Sequence, residues 1–165
     1  MDYKLVEKPS FTIVGKALRV STKDGENMRL IPKFWDDSLK DGSHEQLASL
    51  AGKNSGILGN VTLGVCADFA EDMSEFTYMI AAEGMEKDGL EGMVERAIPA
   101  STWAVFQAEG QLPEAIQNVW GYIWSDFFPS GKFKHDSAPD LEIYPMGKPM
   151  DDDYKFEVWV PVVQS

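Results

Sequence analysis

The chain has 165 residues, 44% of them apolar and 25% charged, as is typical of one soluble globular domain. Its formal net charge of −12 disfavours a nucleic-acid surface and docking on anionic lipid, since both need clustered Lys and Arg. The single cysteine, Cys66, excludes an intramolecular disulfide. Because the sequence shows neither a signal peptide nor an apolar stretch of about 18 residues, we expect a cytoplasmic protein with no membrane partner.

The predicted elements of the first half run strand, helix, strand, strand. β-branched and aromatic residues predict a strand over Phe11–Val20, and an apolar stripe predicts a helix over Ile31–Leu39. The polar segment Asp41–Gly59, with its four glycines, is interpreted as a short helix between loops. Two strands are then expected over Val61–Phe69 and Glu75–Ala82.

The second half repeats this order after a predicted linker over Gly84–Gly92. A strand is predicted over Thr102–Glu109. Apolar residues at helical spacing predict the clearest helix of the chain over Pro113–Phe127. Two further strands are expected over Leu141–Tyr144 and Tyr154–Val162.

The register of the two halves indicates an internal duplication. The spacing of 13 positions from Leu63 to Phe76 recurs from Leu141 to Tyr154. The predicted helices match as well, Phe34-Trp35 with Val119-Trp120. We therefore predict a single domain over 1–165 with pseudo-repeats at about 8–84 and 93–163. Its fold class is α+β: a tandem βαββ repeat in which an antiparallel sheet carries packed helices and a central ligand cleft.

Sequence motifs of common enzymes are missing: the chain has no GxSxG, Walker loop, GxGxxG or HExxH. The two histidines, His44 and His135, lie in polar surroundings and are interpreted as solvated loop residues. The acidic run Asp151-Asp152-Asp153 lacks the spaced ligands of a calcium loop. We therefore expect neither a metal nor a cofactor.

One acidic residue stands among aromatic residues near the end of the sequence. Strand alternation places Glu142 and Tyr144 on one face, and Leu141 and Ile143 on the other. An unpartnered carboxylate among aromatic rings is costly in a dry core, but it is useful where a cationic ligand supplies the partner. The alternative is an edge strand that exposes Glu142 to water, and the residues alone do not decide between the two.

Nearly the whole chain resembles GyrI-like domains, which include the effector-binding halves of AraC-type and MerR-type multidrug regulators. The segments that carry the resemblance are IPASTWAVFQAEG, PEAIQNVWGYIWSDFFPSG, LEIYP and YKFEVWVPV. It is strong over Ile98–Val162 and weaker before Gly84. The resemblance implies a tandem βαββ fold with a central aromatic pocket, in which an acidic residue pairs with lipophilic cations.

The resemblance also implies which residues form the ligand site. Glu142, in the LEIYP segment, matches the acidic residue at the base of the pocket. Tyr154 matches an aromatic residue that lines the pocket near the start of the last strand. Trp103, Trp120 and Tyr144 are expected as further walls because of their positions.

Three functions from different classes follow from the resemblance. The resemblance favours a stand-alone domain that binds bulky aromatic, cationic small molecules. Since no helix-turn-helix precedes the strand at Phe11, we expect that this domain does not contact nucleic acid directly. Such a domain serves drug or toxin binding, sequestration or sensing. One alternative is a hydrolase of cyclopropane-type alkylating compounds with Glu142 as general base. The other is a gyrase-inhibitor-like module with a protein partner or a homodimer, and the role of Glu157 stays open in all three.

Overall fold

A computed structural model describes residues 1–53, 56–85 and 92–165 of the chain. The elements are β1 (Tyr3–Lys8), β2 (Phe11–Ser21), α1 (Glu26–Asp41), α2 (Ser43–Gly52), β3 (Val61–Ala67), β4 (Glu75–Glu83), β5 (Val94–Ile98), β6 (Ser101–Glu109), α3 (Glu114–Tyr122), β7 (Phe133–His135), β8 (Asp140–Pro145) and β9 (Lys155–Gln164). A π-helical turn over Ile123–Phe127 extends α3. In these ranges, no helix is long and apolar enough to cross a bilayer.

The strands form an antiparallel sheet in the order β1-β6-β9-β8-β3-β4-β2-β5, with β7 paired to β9. The order is symmetric with respect to the two halves. If each strand is replaced by its counterpart in the other half (β1 by β5, β2 by β6, β3 by β8, β4 by β9, and the reverse), the same order results when it is read from the opposite end. Strand β1 of the first half pairs with β6 of the second, and β5 pairs in return with β2. A duplicated chain is expected to give such an order. The repeat bounds of about 8–84 and 93–163 stay a prediction.

The helices pack on one face of the sheet and confirm the predicted α+β class. Ile116 of α3 belongs to one buried apolar cluster, and Leu47 of α2 belongs to another. Trp35 of α1 and Trp120 of α3 pack against both clusters. These two indoles therefore mark the centre of the helix-covered face.

The opposite face of the sheet is also buried, although its apolar cluster contains no residue from the helices. Ile13 of β2 shares this cluster with Trp103 and Val105 of β6. Strands β2 and β6 lie second from opposite ends of the sheet. Because only Pro99 and Ala100 separate the end of β5 from the start of β6, and these strands lie near opposite ends of the sheet, the sheet must curve strongly.

The structure corrects several sequence-based bounds. Helix α1 begins at Glu26 rather than Ile31, because its first turn is polar and shows no apolar stripe. Strands β1, β5 and β7 were not predicted, since they are short and carry exposed charged residues. Residues 86–91 of the linker Gly84–Gly92, and residues 54–55 of Asp41–Gly59, lie outside the described residues.

Candidate functional site

Glu142 lies on β8, at the centre of the sheet, and faces the helices. The predicted alternation is confirmed, because Tyr144 belongs to a helix-side cluster while Leu141 and Ile143 belong to the opposite one. The residue is only 5% exposed. This burial rules out the alternative in which Glu142 faces water on an edge strand.

Three side-chain donors converge on the Glu142 carboxylate. Tyr78 Oη donates to Oε1 at 2.6 Å, Tyr144 Oη donates to the same oxygen at 3.0 Å, and Trp120 Nε1 donates to Oε2 at 2.8 Å. Trp35 Nε1 donates in turn to Tyr78 Oη at 2.8 Å. We call these five residues the carboxylate network. They come from α1, β4, α3 and β8, so the folded chain is needed to assemble them.

Every donor to Glu142 is a neutral group. The salt bridges among the described residues do not involve this carboxylate. We expected a carboxylate without any full partner, and the structure corrects this to one that is hydrogen-bonded but not neutralised by a cation. Neutral donors offset part of the cost of burying a charge, and an opposite charge would offset more.

Burial raises the pKa of Glu142 above its ordinary value, while the three hydrogen bonds act in the other direction because they stabilise the ionised form. The pKa values of Tyr78 and Tyr144 are well above the ordinary tyrosine value, since both hydroxyls are buried beside the charge of Glu142. Both tyrosines therefore remain protonated donors at neutral pH. Above the raised pKa of Glu142, the site presents one negative charge within an aromatic setting of low dielectric.

Two half-buried indoles cover the carboxylate on its helix side. The indole N–H of Trp120 donates a hydrogen bond to Oε2 of Glu142. The Trp35 ring packs edge-on against the Tyr144 ring, with ring centroids 5.3 Å apart. The ring of His44 lies 5.8 Å from that of Trp35, and burial lowers its pKa. His44 belongs to α2 and is half-buried, which corrects its interpretation as a solvated loop residue. The Trp120 indole therefore occupies one of the two acceptor sites of Oε2.

The structure brings together three of the five predicted site residues, Glu142, Tyr144 and Trp120. The fourth, Tyr154, lies one aromatic ring further away. Its ring stacks on that of Phe156 at a centroid distance of 6.2 Å, and Phe156 lies 6.0 Å from the ring of Tyr144. Tyr154 can therefore support the network through Phe156.

Trp103, the fifth predicted residue, does not join the network. It is fully buried in the cluster on the opposite face, with its ring 5.9 Å from that of Trp159. On β6 it is the neighbouring Ala104 that faces the helices, which corrects the expectation that Trp103 lines the same pocket. Glu157 also lies on the opposite face, where Trp159 Nε1 donates to its Oε1 at 3.0 Å.

Residues 1–163 match the family model of the GyrI-like small molecule binding domain. The chain belongs to the GyrI-like family. The resemblance inferred from LEIYP and the neighbouring segments is thereby confirmed, and so is the small-molecule-binding class of domain.

This GyrI-like domain is 26% identical to the transcriptional regulator BrlR of Pseudomonas aeruginosa over 165 residues. The match covers 98% of the chain but only 56% of BrlR, so the chain spans about half the length of this curated relative. The structure of SAV2435 bound to tetraphenylphosphonium is similar, with a TM-score of 0.84 and 26% identity over 99% of this chain and 94% of that one.

Two further solved structures share the GyrI-like fold. A putative bacterial transcription regulation protein from Staphylococcus aureus MU50 has a TM-score of 0.77 and 26% identity, with 98% of each chain covered. The match to the EcmrR C-terminal domain covers 100% of both chains, with a TM-score of 0.62 and 17% identity, and shows similarity of fold alone.

Tyr78 and Trp35 were not predicted from the sequence as members of the site. Both belong to the first half of the GyrI-like domain, where the resemblance is weaker. In the alignment of the halves, however, Tyr78 matches Phe156 and Trp35 matches Trp120. The internal repeat would thus have identified Trp35, the counterpart of Trp120, but not Tyr78, whose counterpart Phe156 is not a predicted site residue.

A second polar pair, of one buried and one half-buried side chain, lies near the network of this GyrI-like domain. His135 Nε2 lies 2.6 Å from Oδ1 of Asp140, which is 1% exposed and precedes Glu142 by two positions. Burial lowers the pKa of His135, but the hydrogen bond and charge of Asp140 outweigh that effect and raise it. Its ring also stacks on that of Trp124 at 5.8 Å. His135 is therefore a paired strand residue, not the solvated loop residue that we expected.

Two open surface depressions lie outside the carboxylate network. One of about 500 Å³ lies where β6 meets the start of α3, and Glu109 and Glu114 line it. The other, of about 320 Å³, lies against the loop between β8 and β9, where Tyr154 and Met146 line it. Neither is lined by Glu142. In the part of the chain that the structure describes, no group of three His, Cys, Asp or Glu side chains is placed to hold a metal.

Proposed function

We propose that this domain binds bulky lipophilic organic cations and that Glu142 supplies the opposite charge. The observation that carries the proposal is a buried carboxylate with three neutral donors and no salt bridge within the described ranges. A buried charge of this kind is costly until a cation joins it. The tetraphenylphosphonium bound to SAV2435 is a cation of this class, and that similarity supports the proposal.

The aromatic members of the network suit a cation with an apolar surface. Contact between a cation and the face of Trp35, Trp120 or Tyr144 contributes about 0.5–2 kcal/mol per ring. Two or three such contacts, with pairing to Glu142, bring a micromolar affinity of about −8 kcal/mol within reach. We infer a role in sequestration or sensing of such compounds in the cytoplasm, without direct contact with nucleic acid.

Binding is favoured over hydrolysis by the contacts of Glu142. A general base must hold a lone pair towards the water that it activates. Both carboxylate oxygens of Glu142 already accept hydrogen bonds, from Tyr78 and Tyr144 on Oε1 and from Trp120 on Oε2. Three of the roughly four acceptor sites of the carboxylate are thus occupied, which leaves one on Oε2 and favours a countercharge held in place over a free base.

Calorimetric titration with tetraphenylphosphonium and tetraphenylborate tests the proposal, because the two ions have nearly the same shape and opposite charges. We expect micromolar affinity for the phosphonium and at least about 100-fold weaker binding of the borate, a difference of roughly 2.7 kcal/mol. Equal affinity for the two ions would show that binding depends on the shape of the ligand and not on its charge. The proposed role of Glu142 as the opposite charge would then be wrong.

A further inference from the structure

Gly64 lies directly opposite Glu142 at the centre of the sheet, where β3 and β8 pair. In the alignment of the halves Leu63 corresponds to Leu141, so Gly64 corresponds to Glu142. Gly64 therefore pairs with its own counterpart. Such a pair flanks the pseudo-two-fold axis that relates the two halves, so Gly64 and Glu142 lie on either side of that axis.

Side chains of two such residues point into the same space. A β-carbon built on Gly64 would overlap with Oε1 of Glu142 and with the hydroxyl oxygen of Tyr78. A side chain at position 64 would therefore occupy the space in which the Glu142 carboxylate now lies. The glycine of the first half makes room for the carboxylate of the second.

The backbone offers no other reason for a glycine at this position. Gly64 is in the interior of a central strand, where glycine is unfavourable because it packs no side chain, and it is not among the glycines with positive φ. Gly15 of β2 provides a contrast, since main-chain atoms of Ile80 and Ala81 fill the space beside it. Beside Gly64 the space is filled by the polar ends of two network side chains.

We propose that Gly64 is the positioning residue of the cation site, an inference that rests on the proposed function of Glu142. The space left by its missing side chain seats the carboxylate among its donors and fixes the place where the charge meets a ligand. A methyl group at this position pushes Glu142 away from Tyr78. The preference of the pocket for cations then falls, while its apolar contacts remain.

The first test compares Gly64→Ala with Gly121→Ala. Gly121 follows Trp120 on α3, and a β-carbon built there meets no atom within 4 Å, so it is the matched control. Both variants are titrated with tetraphenylphosphonium and with uncharged triphenylphosphine oxide. We expect Gly64→Ala to lower phosphonium affinity at least tenfold and oxide affinity little, and Gly121→Ala to change neither. A folded Gly64→Ala variant with the wild-type preference for the cation overturns the inference.

A double variant keeps the test decisive even when Gly64→Ala alone unfolds. Glu142→Asp shortens the side chain by one methylene group, which withdraws the carboxylate from its donors but clears the space beside position 64. In the wild-type background Glu142→Asp should lower both the melting temperature and phosphonium affinity. Added to Gly64→Ala, it should raise both relative to Gly64→Ala alone. If Glu142→Asp lowers the melting temperature and phosphonium affinity in both backgrounds, the proposal is overturned, because the two positions then act independently.

The positioning role and the proposed function fail in different ways. If the wild-type chain does not bind tetraphenylphosphonium, the proposed function is wrong. The melting temperatures of the single and double variants then still test whether Gly64 positions the Glu142 carboxylate. If the wild-type chain binds and Glu142→Gln loses affinity while Gly64→Ala does not, the positioning role of Gly64 alone is wrong.

Discussion

The hydrogen bonds around Glu142 determine what removal of its charge does. In Glu142→Gln the amide oxygen can keep the Tyr78 and Tyr144 donors, but the amide NH₂ then faces Trp120 Nε1. One lost hydrogen bond costs about 1 kcal/mol, and relief from burying a charge offsets it. We expect a free energy of unfolding within about 1 kcal/mol of wild type, and phosphonium binding weakened by roughly 1–3 kcal/mol. Denaturant unfolding and calorimetry measure the two quantities.

Glu157→Gln is the matched control for this substitution. Glu157 also accepts a hydrogen bond from an indole, that of Trp159, but it lies on the opposite face of the sheet and is more exposed. Its substitution should leave phosphonium affinity within about twofold, the scale of an ordinary surface change. A similar loss in both variants would point to the net charge of the chain rather than to a site.

The two histidines should titrate on opposite sides of the ordinary histidine pKa. Burial lowers the pKa of His44, whereas the hydrogen bond and charge of Asp140 raise that of His135 despite burial. A histidine whose pKa is raised by folding stabilises the fold below its unfolded pKa, near 6.5, and this contribution is lost as pH rises through the folded value. NMR titration of the two ring signals measures both midpoints.

Asp140→Asn separates the carboxylate effect from burial. Without the charge of Asp140, burial should dominate and the midpoint of His135 should fall below its wild-type value. The midpoint of His44 should not move, because burial alone sets its shift. If the midpoint of His135 is the same in the variant, the buried pair does not form in solution.

At the scale of elements, glycines of β2 and α3 predict opposite effects on stability. A β-carbon on Gly15 would overlap with the main chain of Ile80 and Ala81 on the neighbouring strand β4. Gly15→Ala should therefore destabilise the domain by roughly 1–3 kcal/mol or more. Gly121→Ala, on an open helix surface, should stabilise it by about 0.5–1 kcal/mol. Thermal melts of the two variants check the signs, and a neutral Gly15→Ala would contradict the close approach of β2 and β4.

Central strands could be predicted from the sequence, and the strands at the two ends of the sheet order could not. In β8 the residues alternate between the two faces as expected, although both faces are buried. Strands β1 and β5 lie at the two ends of the sheet order and are held by pairing with the other half of the chain. No local pattern encodes such pairing, because it depends on residues distant in sequence.

The same limit applies to the candidate site. Glu142, Tyr144 and Trp120 were accessible through the resemblance and through strand alternation. Tyr78 reaches Glu142 only because β4 lies two strands from β8, on the far side of β3. Trp103 was misplaced because the sequence does not show which face of β6 turns towards the helices.

At the scale of the whole molecule, the net charge of −12 predicts that this chain does not bind duplex DNA by itself. Phosphate contacts require clustered Lys and Arg, and the 15 basic residues are outnumbered by 27 acidic ones. Gel shift at physiological salt should show no complex at micromolar protein. Sub-micromolar binding that weakens as salt is added would contradict this prediction.

The exchange of β1 and β5 between the halves has a consequence for how the chain folds during synthesis. Tyr3 pairs with Phe106 and Lys8 with Ser101, so the partner of β1 leaves the ribosome about a hundred residues after β1 itself. Until then the first half carries an unpaired strand and an open sheet edge, a state prone to association. Contacts so distant in sequence also slow folding. We expect ribosome-bound chains that end before β6 to stay sensitive to protease, and resistance to appear only once β6 and β9 have emerged.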